Sequence, residues 1–357
     1  MIRKFTVSRD DSIYEAWPDV TLTPGGKLIC VFSECNHHND RSYTRIVLCE
    51  STDRGRTWSA KRPLTDGTSG FPYWNCARIQ MLKDGRLAVV VDRISAKNEE
   101  GGRVYIFFSE DEGATWSAPL ATAVQGIVPD RIVELAGGTW LLSAHHRDPR
   151  HGYLVQRLWF SDNEGRSWEG PVDVANKPGL NLCEVSILPV EKHLVAFMRE
   201  NSGFGLPCYK CISSDNGRTW SPPVEFPLPG CHRPVAGFLN DGRILITYRF
   251  TQGGANPPVA GSKYRVPRWQ NFFAAVTDAS SALAPSYRQA WTRIIPIDFD
   301  RSALNDLGYS GWVQFPDGEV YIVNYIMDDS PKCQIRGYAL RLEDFTLPAP
   351  AAGVNNV

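Results

Sequence analysis

The chain has 357 residues and carries 39 acidic side chains against 38 lysines and arginines. This balance argues against an electrostatic nucleic-acid binder, which normally shows a basic excess. No run of about 18 apolar residues is present, so we expect no membrane span. The nine cysteines are an odd number without CxxC pairs or metal-ligand spacing, and the amino terminus lacks the apolar core of a signal peptide. These features predict reduced thiols, no metal site and a cytoplasmic location.

The first predicted element is a strand over residues 3–8, and six strand–turn–strand hairpins follow it along the chain. Asp-Gly and Gly-Gly pairs between alternating apolar runs are strong hairpin signals. Five of the six turns carry such a pair, and the fourth carries Glu191-Lys192 instead. The hairpins occupy residues 19–32, 78–91, 131–143, 184–198, 234–248 and 310–324.

A second repeat follows each of the first four hairpins and has the pattern S-x-D-x-G-x-T-W. Its copies are residues 51–58, 109–116, 161–168 and 213–220, the third with Asn and Ser in two slots. The Asp can accept backbone N–H bonds across a turn, Gly tolerates a positive φ, and Trp covers the apolar ground beneath. We interpret these Asp-boxes as scaffold turns and not as catalytic carboxylates.

The fifth interval, residues 251–307, carries no clean box, only a remnant at Thr277-Asp278. Its 253–258 stretch, rich in Gly and Pro, predicts a long loop, and such loops often carry binding sites. The last strands, around residues 334–342, are expected to pair with the strand at 3–8 and close a ring.

Six hairpins, each followed by further strand material, predict an all-β fold: a six-bladed β-propeller with four-stranded antiparallel blades. No convincing amphipathic helix and no linker are visible in the sequence. We therefore predict a single domain over residues 1–357. The oligomeric state is not predicted by these patterns.

Four Asp-boxes on six hairpin repeats resemble the sialidase (neuraminidase) superfamily, and the resemblance covers nearly the whole chain. Some propellers with such boxes bind ligands without catalysis, and others cleave bonds that sialidases do not. The fold alone therefore does not fix the function. The comparison therefore depends on individual residues at the strand ends that line the central cavity.

Two hairpins resemble the strands that carry the family's catalytic groups. Tyr309-Ser310 matches the Tyr-Ser pair of the nucleophile strand, although Asn324-Tyr325 departs from the family's Tyr-Glu ending. Glu184 matches the acid that activates the tyrosine, and Arg199, on the paired strand, matches an arginine that binds the substrate carboxylate. The alternative interpretations are a buried hairpin tyrosine and an ordinary cross-strand ion pair.

Asp40 lies in the loop between the first hairpin and the first box, where the family has its acid/base aspartate. A lone loop aspartate is usually a turn former, and that alternative stays open. His37 and His38 could orient this carboxyl group, or they could simply be surface residues.

The family binds its substrate's carboxylate through three arginines, the first in an Arg-Ile-Pro signature. Here the signature reads Ala16-Trp17-Pro18, so the first arginine is missing, and we count Trp17 as a substrate-binding candidate. The third arginine is assigned to Arg265 or Arg268. Three residues from neighbouring segments could replace the first arginine: Arg41, Arg45 and Arg78. Of these, Arg78 is our candidate for substrate binding.

The resemblance implies a retaining exo-glycosidase that removes a terminal sialic acid or a related acidic sugar from a glycan or glycoconjugate. Tyr309 would be the nucleophile, Glu184 its base and Asp40 the acid/base, with no metal or organic cofactor. The missing arginine motivates one alternative, a glycosidase of the same fold that acts on a different sugar.

A second alternative is a non-catalytic carbohydrate-binding propeller, in which Trp74, Trp269 or Trp312 would stack on sugar faces. A protein-interaction propeller is the least favoured interpretation, because it would leave the matches at Tyr309, Glu184 and Asp40 unexplained. The near-neutral charge also offers no support for electrostatic steering.

Overall fold

The structure is a computed structural model that describes residues 1–96, 101–252 and 269–345. In these residues, six four-stranded antiparallel sheets account for nearly all regular structure. Helix is limited there to α1, Ala279–Leu283, and two 3-10 turns, Tyr287–Gln289 and Leu342–Phe345. The predicted all-β propeller with six antiparallel blades is confirmed. No helix in the described part of the chain is long and apolar enough to cross a membrane.

Each of the first three blades is a meander of four consecutive strands. Blade 1 contains β2 (Tyr14–Leu22), β3 (Leu28–His37), β4 (Asp40–Ser51) and β5 (Arg62–Pro63). Blade 2 contains β6 (Tyr73–Met81), β7 (Leu87–Ile94), β8 (Arg103–Ser109) and β9 (Leu120–Gln125). Blade 3 contains β10 (Val133–Glu134), β11 (Trp140–Arg147), β12 (Leu154–Ser161) and β13 (Glu169–Ala175).

The remaining blades follow the same order, except that the amino terminus completes the last one. Blade 4 contains β14 (Leu182–Val190), β15 (His193–Glu200), β16 (Cys208–Ser213) and β17 (Val224–Phe226). Blade 5 contains β18 (Cys231–Phe238), β19 (Ile244–Thr251), β20 (Gln270–Thr277) and β21 (Arg293–Phe299). Blade 6 contains β22 (Leu307–Gln314), β23 (Val320–Ile326), β24 (Gln334–Leu340) and β1 (Arg3–Ser8).

The ring closes through the antiparallel pairing of β1 with β24, from Arg3 opposite Ala339 to Ser8 opposite Ile335. This pairing is the predicted one, and it makes the amino-terminal strand the fourth strand of blade 6. All six predicted hairpins join the first and second strands of their blades.

The Asp-boxes join the third and fourth strands of blades 1 to 4 as self-contained turns. In the first box, Asp53 accepts a hydrogen bond from Thr57 N at 2.9 Å, and Ser51 Oγ accepts one from Gly55 N at 2.8 Å. Gly55 has φ +79°, where a Cβ atom is disfavoured. Trp58 Nε1 donates to the Gly55 carbonyl at 3.2 Å. The same contacts recur in the other three boxes, so the interpretation of the boxes as scaffold is confirmed.

Blade 5 replaces the box with helix α1, whose N-cap Asp278 accepts from Ser281 N at 2.8 Å. The predicted long loop at 253–258 lies outside the described residues, as do Arg265 and Arg268. Apolar strand residues fill the space between blades, as where Ile29 and Val31 of β3 pack against Ile79 and Val89. All nine cysteines are buried free thiols in the structure.

Candidate active site

In five blades, one non-glycine residue at an equivalent point, on or just before the first strand, has a positive φ. These residues adopt left-handed φ values of 49–55° and are Trp17, Val128, Glu184, Arg233 and Tyr309. Four of them lie at bulges, where the pairing with the second strand shifts register. Non-glycine residues with such φ values are strained and concentrate at functional sites. The bulges therefore mark a common site formed by the first strands of different blades.

Three of the predicted site residues meet directly at this place. The Tyr309 hydroxyl donates a hydrogen bond to Glu184 Oε1, and Arg199 Nη1 donates to the same oxygen at 2.7 Å. Arg199 lies on β15 beside the Glu184 bulge because Cys183 pairs with it across the hairpin. Tyr309 comes from β22, 125 residues away. The structure thus brings Tyr309, Glu184 and Arg199 together.

The charges of the cluster set a neutral phenol against an ionised carboxylate. Burial and the nearby Glu184 carboxylate raise the pKa of Tyr309 well above its usual value, so the phenol is neutral at rest. Burial alone would raise the pKa of Glu184, but the guanidinium groups of Arg199 and Arg249 outweigh it and lower that pKa to about 2. Glu184 is therefore an ionised acceptor facing a neutral donor.

Two arginines that the sequence analysis did not select complete the surroundings of the phenol. The Cζ atoms of Arg233 and Arg249 each lie 5.7 Å from the centre of the Tyr309 ring. Arg249 also donates to the Leu307 carbonyl at 3.0 Å, near the start of β22. Its position on β19 matches that of Arg199 on β15, because both pair with the residue preceding the bulge.

The signal for Arg249 was present in the sequence. Both 194–199 and 244–249 are apolar second-strand segments that follow a hairpin turn and end in arginine. The third arginine was predicted to be Arg265 or Arg268, and both lie outside the described residues. Within the described residues, two arginines of blade 5 lie beside the phenol, Arg233 on β18 and Arg249 on β19.

Residues on the second strands hold the bulges of the following blades. His145 Nδ1 lies 3.4 Å from the Glu184 amide, which donates to it. Burial and the neighbouring arginines lower the pKa of His145 to about 4, so the ring is neutral. Asp92, fully buried, accepts from Cys76 N at 3.0 Å and Val128 N at 3.2 Å. These contacts fix the backbone on which the site depends.

The position of the missing first arginine is occupied by an aromatic–cation pair. Ala16 is fully buried, and Trp17 is 3% exposed. The Arg41 guanidinium lies over the Trp17 ring at 4.0 Å and donates to Asn75 Oδ1 at 3.1 Å. Its buried Nη1 has no hydrogen-bond partner among the described residues. Among the proposed replacements, Arg41 is therefore the one that stacks on Trp17, whereas Arg45 is paired with Glu34.

Arg78 lies beneath the site, between the first strands. It is 3% exposed, donates to the Ser310 carbonyl at 2.9 Å, and places Nε 3.3 Å from Asp19 Oδ2. Burial lowers its pKa to about 9. Its assignment to substrate binding stays a prediction, but these contacts are those of a scaffold residue that supports the backbone beside Tyr309.

The structure does not bring Asp40 into the cluster. Asp40 is exposed at the start of β4 and accepts from Ser42 N at 3.0 Å and Ser42 Oγ at 2.6 Å. The hydrogen bonds from Ser42 lower its pKa. The nearby His38 turns the other way, and its Nδ1 lies 2.8 Å from Asp306 Oδ2. Asp306, which the sequence analysis did not select, immediately precedes β22, the strand that carries Tyr309.

The three tryptophans considered as sugar platforms differ in exposure. Trp74 and Trp312 are each 7% exposed, and Trp312 Nε1 donates to the Val235 carbonyl at 3.1 Å. Both therefore pack in the core. Trp269 is 45% exposed, which leaves it as the one of the three with a free face.

A cavity of about 1240 Å³ opens between blades 2 and 3 and adjoins the cluster through His145. Its lining includes Tyr105, Gln125 and the basic side chains Arg103, Arg147 and Arg157. Arg157 is paired with Asp173 at 3.0 Å. In the residues that the structure describes, no group of three His, Cys, Asp or Glu side chains is placed to hold a metal ion.

Comparisons with known proteins agree with this architecture. The sequence matches the BNR repeat-like domain over residues 65–322. No curated protein sequence matches the chain. Among solved structures, a Dyadobacter fermentans protein of unknown function has a TM-score of 0.74 at 20% identity, covering 95% of this chain and 99% of its own.

Two sialidases share the fold at lower identity. A Hadza microbial sialidase has a TM-score of 0.67 at 18% identity, covering 96% of this chain and 69% of its own. Trypanosoma rangeli sialidase, solved in complex with sialic acid, has a TM-score of 0.62 at 15% identity; 96% of this chain matches 55% of that protein, so the chain spans just over half of it. The chain therefore belongs to the BNR repeat-like domain family and has a sialidase-like propeller fold.

Proposed function

We propose that the protein is a retaining exo-glycosidase of sialidase type that cleaves a terminal acidic sugar from a glycan or glycoconjugate. The observation that carries this proposal is the contact of the Tyr309 hydroxyl with Glu184 Oε1, on which Arg199 also converges. A purely structural ion pair between Glu184 and Arg199 would not need a tyrosine hydroxyl on the same carboxylate oxygen. A tyrosine nucleophile does need a base at hydrogen-bond distance.

In the proposed reaction, the Tyr309 oxygen attacks the anomeric carbon while its proton moves to Glu184 Oε1. Because Arg199 and Arg249 stabilise the ionised carboxylate, the proton leaves the phenol only as the new bond to carbon forms. Water then attacks the anomeric carbon from the face that the leaving group vacated, opposite Tyr309. The two successive inversions retain the configuration. Asp40 is the sequence-based candidate for the acid/base.

A tyrosine nucleophile favours a substrate that carries a carboxylate at the anomeric carbon. An anionic nucleophile would be repelled by that group, whereas a neutral phenol is not. The guanidinium groups of Arg199, Arg233 and Arg249 provide the opposite charge around the phenol. The basic lining of the adjacent cavity supports an acidic glycan as the larger substrate.

The identity of the sugar is proposed more broadly than sialic acid. Trp17 with Arg41 stands where the family's first arginine would bind the carboxylate, and this arrangement favours a related acidic sugar as the second candidate substrate. A flat aromatic face with a stacked guanidinium offers fewer parallel N–H bonds than a free bidentate arginine.

The experiment is a panel of 4-methylumbelliferyl glycosides of N-acetylneuraminic acid, its deaminated analogue and glucuronic acid. We expect the wild type to hydrolyse at least one of them and Tyr309→Phe to lose that activity while unfolding at an unchanged temperature. Activity that survives in Tyr309→Phe would refute the nucleophile, and glycan binding without hydrolysis would favour the binding-propeller alternative.

A further inference from the structure

The proposed reaction needs a proton donor for the leaving oxygen, and Asp40 is poorly placed for this role. Its carboxylate is exposed, and its hydrogen bonds with Ser42 and Asn36 stay within its own hairpin. These bonds lower the pKa of Asp40, which keeps it ionised where an acid must be protonated. Another group must supply the proton.

His38, in the same turn, lies against the wall of the site. Its ring meets the Trp17 ring edge-on at 5.3 Å, and its side chain is 39% exposed. Asp306 Oδ2 lies 2.8 Å from Nδ1, which fixes the ring. No partner of Nε2 is found in residues 1–96, 101–252 or 269–345, so this nitrogen remains for a ligand.

Asp306 connects His38 to the nucleophile strand. Its carboxylate also accepts hydrogen bonds from the hydroxyls of Tyr14 and of Tyr325, the latter at 3.1 Å. The Tyr325 ring packs edge-on against Tyr309 with centroids 6.5 Å apart. Burial alone would raise the pKa of Asp306, but the bonds from His38 and Tyr14 hold it below its usual value, so the carboxylate is ionised.

The order of the blades places His38 and Glu184 on opposite sides of the phenol. Tyr309 belongs to blade 6, Glu184 to blade 4, and His38 to blade 1, next to blade 6. A sugar bound over Tyr309 would therefore have the base on one side and the imidazole on the other. This separation lets one group take the phenol proton while the other serves the leaving oxygen.

We propose that His38, oriented by Asp306, is the catalytic acid/base for the leaving group, in place of Asp40. This inference rests on the proposed glycosidase function and assigns its missing proton donor. A histidine fixed at one nitrogen by a carboxylate is a common arrangement for proton transfer through the other nitrogen.

The proton balance is complete with these groups. In the first step, the bond between the anomeric carbon and the leaving oxygen breaks, His38 Nε2–H protonates that oxygen, and Tyr309 bonds to carbon as its proton moves to Glu184. In the second step, neutral His38 removes a proton from water, whose oxygen attacks the anomeric carbon. The tyrosyl oxygen leaves and recovers its proton from Glu184. No oxidant or other reactant is consumed.

The test compares two leaving groups on the panel sugar that the wild type hydrolyses. The 4-methylumbelliferyl group departs without much help from an acid, whereas a benzyl alcohol needs full protonation. The variants are His38→Ala and His38→Gln, with His37→Ala as the matched control from the same turn and Asp40→Ala as the competing assignment.

We expect both His38 variants to lose about 10²–10⁴-fold in kcat/KM on the benzyl glycoside and less than about tenfold on the 4-methylumbelliferyl glycoside. His37→Ala should stay within about threefold of wild type on both glycosides, and any loss in Asp40→Ala should be no larger on the benzyl glycoside than on the 4-methylumbelliferyl glycoside. Asp306→Asn should show the same leaving-group dependence in weaker form, as a positioning residue would.

Equal losses on both substrates in the His38 variants, or a leaving-group dependence that appears in Asp40→Ala instead, would overturn this assignment. Neither result would touch the proposed function as long as Tyr309→Phe is inactive. If the wild type hydrolyses none of the panel, the proposed function and this assignment both fail.

Discussion

Replacing Glu184 with glutamine tests the role of the buried carboxylate at nearly constant shape. Glu184 is 4% exposed and receives hydrogen bonds from Arg199 and Tyr309. An amide in its place can accept these bonds but cannot remove the phenol proton. General-base help contributes about 10²–10⁴-fold, which is about 2.7–5.5 kcal/mol of activation free energy. We therefore expect Glu184→Gln to lower kcat by about that factor.

The same substitution weakens a charge-assisted hydrogen bond in the folded state. Bonds to charged groups contribute about 1.5–3 kcal/mol, so the free energy of unfolding should fall by a similar amount. Glu34 is a matched control, because it is 3% exposed and paired with Lys61 at 3.0 Å on blade 1. Glu34→Gln should lose comparable stability and keep its kcat.

The assay is initial-rate hydrolysis at saturating substrate, with urea unfolding of each variant at the same pH. A kcat for Glu184→Gln within about threefold of wild type would refute the base assignment. A loss of kcat in Glu34→Gln as large as that in Glu184→Gln would show that activity follows stability and not the proton acceptor.

Three further outcomes follow from the geometry. The pKa of Glu184 is lowered to about 2 in the folded protein. The stabilisation by its charge is therefore fully present above the unfolded pKa of about 4.3 and is lost as the pH falls towards 2. The difference in unfolding free energy between wild type and Glu184→Gln, measured by urea unfolding, should shrink over that interval. Arg249→Met should reduce kcat/KM by about 10–100-fold, because it removes a guanidinium near the phenol. The control Arg243→Met, on the exposed hairpin turn, should leave kcat/KM unchanged. Initial rates on the panel sugar measure both. Asp53→Ala should lower the thermal midpoint without changing kcat, while Asp53→Asn should be tolerated because Asn163 makes the same turn bond at 2.8 Å.

The fold follows from local patterns in the sequence. Turns such as Asp84-Gly85 and Gly137-Gly138 require only neighbouring residues, and each Asp-box closes its own hydrogen bonds, as Asp53 does with Thr57. Six repeats of such units leave little choice of architecture. The closure of β1 on β24 follows because the last blade would otherwise lack its fourth strand.

The site is only partly readable from the sequence, because it is assembled by tertiary contacts. The segments of Tyr309, Glu184 and Arg199 were found by resemblance, and Arg249 could have been found from its equivalence to Arg199. The direction of a loop side chain has no such signal. Asp40 and His38 are two positions apart, yet one faces solvent and the other binds Asp306.

Arg78 illustrates the converse limit. An arginine on a first strand is readily interpreted as a ligand for an acidic substrate, but here the first strands of blades 1 and 6 bury its guanidinium against Asp19 and the Ser310 carbonyl. Burial of this kind depends on the packing of blades far apart in sequence and cannot be inferred from composition or spacing.

The central claim is that the Tyr309 phenol forms a covalent bond to the sugar, and trapping measures this most directly. A fluorinated glycosyl fluoride of the accepted sugar slows the second step, so the intermediate accumulates and can be mapped by peptide mass spectrometry. We predict a mass increase of one fluorosugar on the peptide containing Tyr309, and none in Tyr309→Phe. An active enzyme that releases a product of inverted configuration, or that carries the label on another residue, would contradict the account.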